Sequence, residues 1–169
     1  GTKMFGIGGR AYTKSIEKEL GVSFDEAEAT KLGEGKVSIE SSEVQEALDK
    51  TCDVWVSGVE LALTEFTNLD NIPNRILLCG GGSSLENIKH TLEETNWYND
   101  VAFTKKPVIS YITPEQVSGI NDQTGNELLD HAFVTAMGLL RVGLDTVTQD
   151  SEPSGNVNIK DKFDKLLRV

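Results

Sequence analysis

Apolar positions along this chain recur mostly at three- and four-residue steps, interrupted by two short continuous apolar runs. That mixture predicts helices around a small sheet, an α/β arrangement. Met4 to Gly9 reads as a brief strand. After it Tyr12, Ile16 and Leu20 share a helical face that Gly21 ends. Ser23 with Glu26 three residues on reads as a capping box opening a second helix through Ala27 and Thr30. From Ser41 or Ser42 to about Asn68, the positions Val44, Leu48, Cys52, Trp55, Val56, Val59, Leu63 and Phe66 predict a long buried helix. Ile76 to Cys79 is continuous in apolar character and predicts a strand covered on both faces, in a parallel sheet. Leu85, Ile88 and Leu92 mark the helix behind it, with Ser83 or Ser84 as its cap. Asn96 to Lys106 reads as a polar loop, Pro107 to Ile112 as a strand, and Thr113-Pro114 as a helix start. Asn121 to Asn126 reads as a loop and Glu127 to Asp145 as a helix. Residues 146–158 read as a linker, and 159–169 as a short amphipathic helix carrying Lys160, Lys162, Lys165 and Arg168.

The 169 residues suffice to bury a core without disulfides. A formal charge of −11 argues against a nucleic-acid partner, because phosphate backbones are bound by clustered Lys and Arg. Cys52 and Cys79 lie far apart with no Cys/His spacing, so no metal site or disulfide framework is indicated. Cys52 reads as a core filler and His131 as structural. No apolar run approaches a membrane span and no signal peptide is evident, which gives a cytoplasmic expectation. The start at Gly1-Thr2-Lys3, close to an apolar stretch, reads as a segment of a longer protein.

Two stretches carry candidate chemistry. Gly80, Gly81 and Gly82 follow the Ile76–Cys79 run and precede Ser83 and Ser84. Glycines there permit a sharp turn with positive φ and close approach of a ligand to the backbone. The plain alternative is a tight turn with no ligand. Glu28 and Lys31 lie three apart on one helix, either as a surface ion pair or as a paired site.

The order of these motifs resembles the C-terminal half of actin-like ATPases, most closely the bacterial division protein FtsA and the pilus-assembly protein PilM. The resemblance rests on Phe5 to Ile16, with Gly8-Gly9 and Thr13, on Gly21 to Lys31 with Glu28-x-x-Lys31, and on Ile76 to Ile88 as an adenosine motif. Ala132 to Leu144 is similar to the small-residue helix that closes the fold. Glu86 stands where that family often has proline. The resemblance implies a partial actin-like, ribonuclease H-like ATPase domain: residues 4–70 a helical nucleotide-facing lobe (subdomain IIB-like), and 71–145 an adenosine-motif subdomain (IIA-like).

It further implies ATP or ADP as ligand, with Glu28 and Lys31 facing ribose and adenine and Gly80, Gly81, Gly82, Ser83 and Ser84 walling the purine. Magnesium would be held mainly by the phosphate hairpins, which this chain does not contain. The implied role is in cell division or envelope assembly, with division or pilus-assembly proteins as partners and self-polymerisation. The basic amphipathic pattern of 159–169, apart from the resemblance, suits an anionic membrane surface such as the inner membrane face or a docking partner, with packing on its own domain or fraying as the plain alternatives. The chain alone is expected not to hydrolyse ATP, while its parent would be at most a weak ATPase. The alternative is a protein–protein recruitment module with a vestigial nucleotide cleft; a sugar-kinase relationship is disfavoured, since no sugar-contacting acid is identifiable.

Overall fold

The computed structural model describes residues 1–66, 70–117, 123–125 and 127–149. The fold is mixed α/β and mostly helical, with a small two-stranded parallel sheet. The chain divides into two compact units: Gly1–Leu78 with Gly82–Ser110, and Cys79–Gly81 with the chain from Tyr111 onward.

In the first unit three helices make the core. Helix α1 (Gly9–Leu20) buries Tyr12, Thr13 and Ile16 and stops at Gly21, whose φ of 64° is the left-handed conformation that glycine adopts without strain. Helix α2 (Phe24–Lys31) starts at Ser23, whose hydroxyl accepts the Glu26 N–H. The reciprocal half of the expected capping box is absent: the Glu26 carboxylate accepts the Lys36 N–H instead, at 3.0 Å. Its end is a Schellman motif, in which Gly33 at φ 79° follows Leu32, the Gly33 N–H donates to Thr30 and the Glu34 N–H to Ala29.

Helix α3 (Ser42–Thr64), capped by Ser41, buries Val44, Ala47, Leu48, Cys52 and Val56 on one face and ends a few residues before the Asn68 expected from its pattern. It packs against α1, against α4 (Glu86–Glu94) and against a 3-10 turn at Trp97–Asp100, while α2 packs against α1. Within this core the Cys52 thiol lies 3.6 Å from the Tyr12 hydroxyl, and burial pushes the pKa of both groups up. Cys52 is therefore a filler of the helix interface, as its sequence context predicts.

Strands β1 (Arg75–Leu78) and β2 (Val108–Tyr111) pair across the α4 crossover, which parallel strands require. A parallel bridge between Ile72 and Phe103 extends the pairing. Burial along β1 departs from the expectation of a strand covered on both faces: Leu78 is buried, but Leu77 is 43% exposed. Successive side chains of a strand point to opposite faces, and in this short strand only the face that carries Leu78 is buried.

Two other expectations are corrected, and the place of Trp97 and Tyr98 is decided. Met4 to Gly9 is not a strand; Phe5 instead tilts against Trp55 of α3, ring centroids 6.2 Å apart, and Lys3 pairs with Glu65. Neither Ser83 nor Ser84 caps α4, because both are used in a 3-10 turn, Gly81–Ser84, and Leu85 becomes the N-cap without a side-chain bond. Within the loop expected after α4, Trp97 and Tyr98 fold into that second 3-10 turn. Trp97 is buried there, donates its indole N–H to Leu92 at 3.0 Å, and meets Tyr98 and Phe103 edge-on.

In the second unit, Thr113 and Gln116 form a full capping box around the 3-10 turn Pro114–Gln116, with Pro114 in its first position as expected. The helix anticipated from Glu127 begins later, as α5 (Val134–Gln149). Asp130 accounts for the delay: its carboxylate accepts the Ala132 N–H at 2.7 Å and holds His131–Phe133 as a separate 3-10 turn. His131 stacks on Tyr111 with centroids 4.2 Å apart, in keeping with its structural reading. The first four residues of the anticipated 146–158 linker continue α5. The rest of that linker, the 159–169 amphipathic segment and half of the Asn121–Asn126 loop lie outside the described residues. Among the described residues, no helix is long and apolar enough to cross a membrane.

Candidate functional site

The candidate chemistry begins where α1 and α2 meet. Helix α2 carries Asp25 and Glu26 in its first turn and Lys31 in its last, the order that suits the helix dipole. Glu28 and Lys31, three residues apart, point back to α1. The Lys31 ammonium donates to Glu28 Oε2 and Oε1 at 2.7 and 2.8 Å, to Thr13 Oγ1 at 2.9 Å and to the Gly9 carbonyl at 3.3 Å. Thr13, wholly buried, donates its hydroxyl to Glu28 and also has the Gly9 carbonyl within 3.0 Å. A pair that reads from sequence as a surface bridge is thus a four-member network. The Lys31 side chain is only 10% exposed, against 37% for Glu28.

The hydrogen bond from Lys31, and after it the one from Thr13, hold the Glu28 carboxyl below its usual range. A lowered folded-state pKa contributes stability that is complete above the unfolded value, near 4.5, and is lost as pH falls through the folded value. We expect wild type to exceed Glu28→Gln in stability at neutral pH and the gap to narrow progressively as the pH falls below the unfolded value, as read by denaturant midpoints. A gap independent of pH would show that the carboxylate charge contributes nothing.

Lys31 also borders a cleft of about 540 Å³ within the first unit. Leu32, Gly33, Ile39 and Glu40 form one side of it, following the Schellman turn. Gln45 and Asp49, successive positions on one face of α3, and Ser84, Leu85, Glu86, Asn87 and His90 from the start of α4 complete the lining. A polar tie fixes these walls: Asn87 Nδ2 donates to Gln45 Oε1 at 2.9 Å and to Asp49 Oδ1 at 2.8 Å, while Gln45 donates to the Ile39 carbonyl at 2.8 Å. The resulting lining is apolar in part, rich in amides, and carries three carboxylates.

Of the sequence-derived candidates, Lys31 and Ser84 line this one cleft, and Glu28 braces Lys31 from outside it. Gly82 and Ser83 sit in the adjoining 3-10 turn, Ser83 buried. Gly80 and Gly81 group with the second unit. There Gly80 alone of the three glycines has positive φ, at 85°, and its N–H donates to the His131 carbonyl at 3.1 Å. A Cβ on Gly81 or Gly82 would meet nothing within 4 Å, so the need for glycine that the Gly-Gly-Gly run implies is met by Gly80 alone.

Gln45, Asp49, Asn87 and His90 were not anticipated as site residues. The available signal was their register: Gln45 and Asp49 each directly follow a core position, Val44 and Leu48, and Asn87 directly precedes Ile88. Among the described residues no group of three or more His, Cys, Asp and Glu side chains is placed to hold a metal ion. The chain matches no protein-family model, no curated protein and no solved structure.

Proposed function

We propose that this chain is part of an FtsA- or PilM-like actin homologue, acting in cell division or envelope assembly, and that its first unit receives the adenosine side of ATP or ADP. The observation that carries the reading is the meeting of Lys31 and Ser84 in one cleft. They come from two separate motifs, the Glu-x-x-Lys helix and the glycine turn, each chosen on sequence as a wall for a purine. The lining suits that ligand: Leu32, Ile39 and Leu85 offer apolar contact to a flat ring, and Gln45, Asn87 and the carboxylates offer partners to an exocyclic amine and ribose hydroxyls.

The chain lacks the hairpins that would hold magnesium and position a water on the γ-phosphate, so it binds without hydrolysing. Calorimetry with ADP and ATP on this chain and on the longer protein, paired with a phosphate-release assay, tests both statements. Binding by the chain with turnover confined to the longer protein is expected. Comparable phosphate release by the chain alone would overturn the division of labour.

The second reading, a recruitment module with a vestigial cleft, is favoured by a different feature. On the first lobe, whose surface would recruit a partner peptide, the side chains of Leu32, Val54 and Leu61 are exposed, Leu61 by 63%. Full-length protein with no nucleotide affinity, and with function intact after changes at Glu28 and Lys31, would select this reading over the first.

A further inference from the structure

An ammonium has three N–H donors. Those of Lys31 meet four acceptors: the Gly9 carbonyl, Thr13 Oγ1 and both oxygens of Glu28. With the carboxylate sharing one donor between its oxygens, no N–H of Lys31 is left for a ligand, and what it presents to the cleft is its stem. Thr13 makes this closure possible. Its single hydroxyl hydrogen can serve Glu28 or the Gly9 carbonyl, not both, and the charged acceptor is the stronger. Lys31 then supplies Gly9, and the Thr13 lone pairs face the ammonium. The remaining charged lining consists of Glu40, Asp49 and Glu86, with His90 beside them.

We propose that Thr13 sets the charge preference of the cleft: by fixing the Lys31 ammonium within the α1–α2 network it withholds the cation from phosphates, so in this chain the cleft holds the nucleoside part of its ligand and added phosphate weakens binding rather than strengthening it. The nucleoside part rests on the function proposed above; the role of Thr13 toward Lys31 does not. In this arrangement Thr13 is a positioning residue, and Lys31 recognises its ligand by covering it.

Two measurements on the whole chain test this separately. The first is calorimetry with adenosine, AMP and ADP at pH 8 and constant salt. Adenosine should bind at least about threefold more tightly than ADP, with AMP between them, as repulsion from three carboxylates requires. In Thr13→Val and Thr13→Ala the preference should shift toward ADP by about fivefold, and Thr13→Ser, which keeps the hydroxyl, should behave as wild type. The second is competitive amine labelling read by mass spectrometry, with exposed Lys14 as internal standard. Lys31 should label about tenfold more slowly than Lys14 in wild type and Thr13→Ser, and several-fold faster once the hydroxyl is gone. ADP binding wild type more tightly than adenosine, or Lys31 labelling as fast as Lys14, would overturn the proposal. Binding of none of the three ligands would sink the nucleoside assignment and the preference with it, and labelling would still decide whether Thr13 holds the ammonium.

Discussion

Gly35→Ala should lower the stability of the first unit by about 1–3 kcal/mol, the range for forcing an extra carbon into a closed site. A Cβ at this position would lie 2.6 Å from both the Cα and the backbone N of Thr30, and closer still to its hydroxyl. Thr30 is wholly buried, and its backbone belongs to the last turn of α2, where the Schellman bonds to Gly33 and Glu34 fix it. Neither side can move without losing those bonds. The loss has a functional side as well, because the segment that would be displaced continues into Ile39 and Glu40, which line the cleft. Urea titration followed by circular dichroism provides the test. A midpoint unchanged from wild type would mean that the Gly33–Lys36 turn is not seated against α2 as described.

Leu48→Ala should cost more, about 2–5 kcal/mol, the usual loss on truncating a buried leucine. Leu48 has no exposed surface and lies on the buried face of the helix that packs against α1, α4 and the Trp97–Asp100 turn. Against total stabilities of about 5–15 kcal/mol this is a large fraction. Because Gln45 and Asp49 flank it on the same helix, ligand binding by the variant should fall with the folded fraction. A loss under about 1 kcal/mol would indicate that α3 is not the centre of the core.

The parts of this fold that were legible in the sequence are those decided locally. Gly21 ends α1, Ser23 and Ser41 open α2 and α3, and the 3.6-residue spacing of Val44, Leu48, Cys52 and Val56 marks the buried face. What misled was context supplied by other segments. The continuous run Ile76–Cys79 implies cover on both faces, yet Leu77 is substantially exposed. Asp130, read as interior to a helix, is the cap that delays one. Ser83 and Ser84 have the chemistry of caps, but the tight turn after Gly80 takes them up before the helix begins.

The site divides the same way. Glu28 with Lys31 and the glycine–serine turn could be picked out as motifs. Thr13 could be marked only as part of a pattern; that its hydroxyl joins the pair depends on how α1 meets α2. Gln45, Asp49 and Asn87 each look like the solvated side of an amphipathic helix, and only the packing of α3 on α4 brings the three amide and carboxylate groups together.

Both tryptophans of the chain belong to the first unit: Trp55 on α3, and Trp97 sealed between Tyr98 and Phe103. The second unit has no indole. Intrinsic tryptophan emission therefore reports from indoles of the first unit alone, with a red shift as Trp97 meets water, and α5 carries no indole of its own. Far-ultraviolet dichroism sees the helices of both. Overlaying the two signals along one denaturation curve distinguishes a single cooperative transition from two, without any label or substitution.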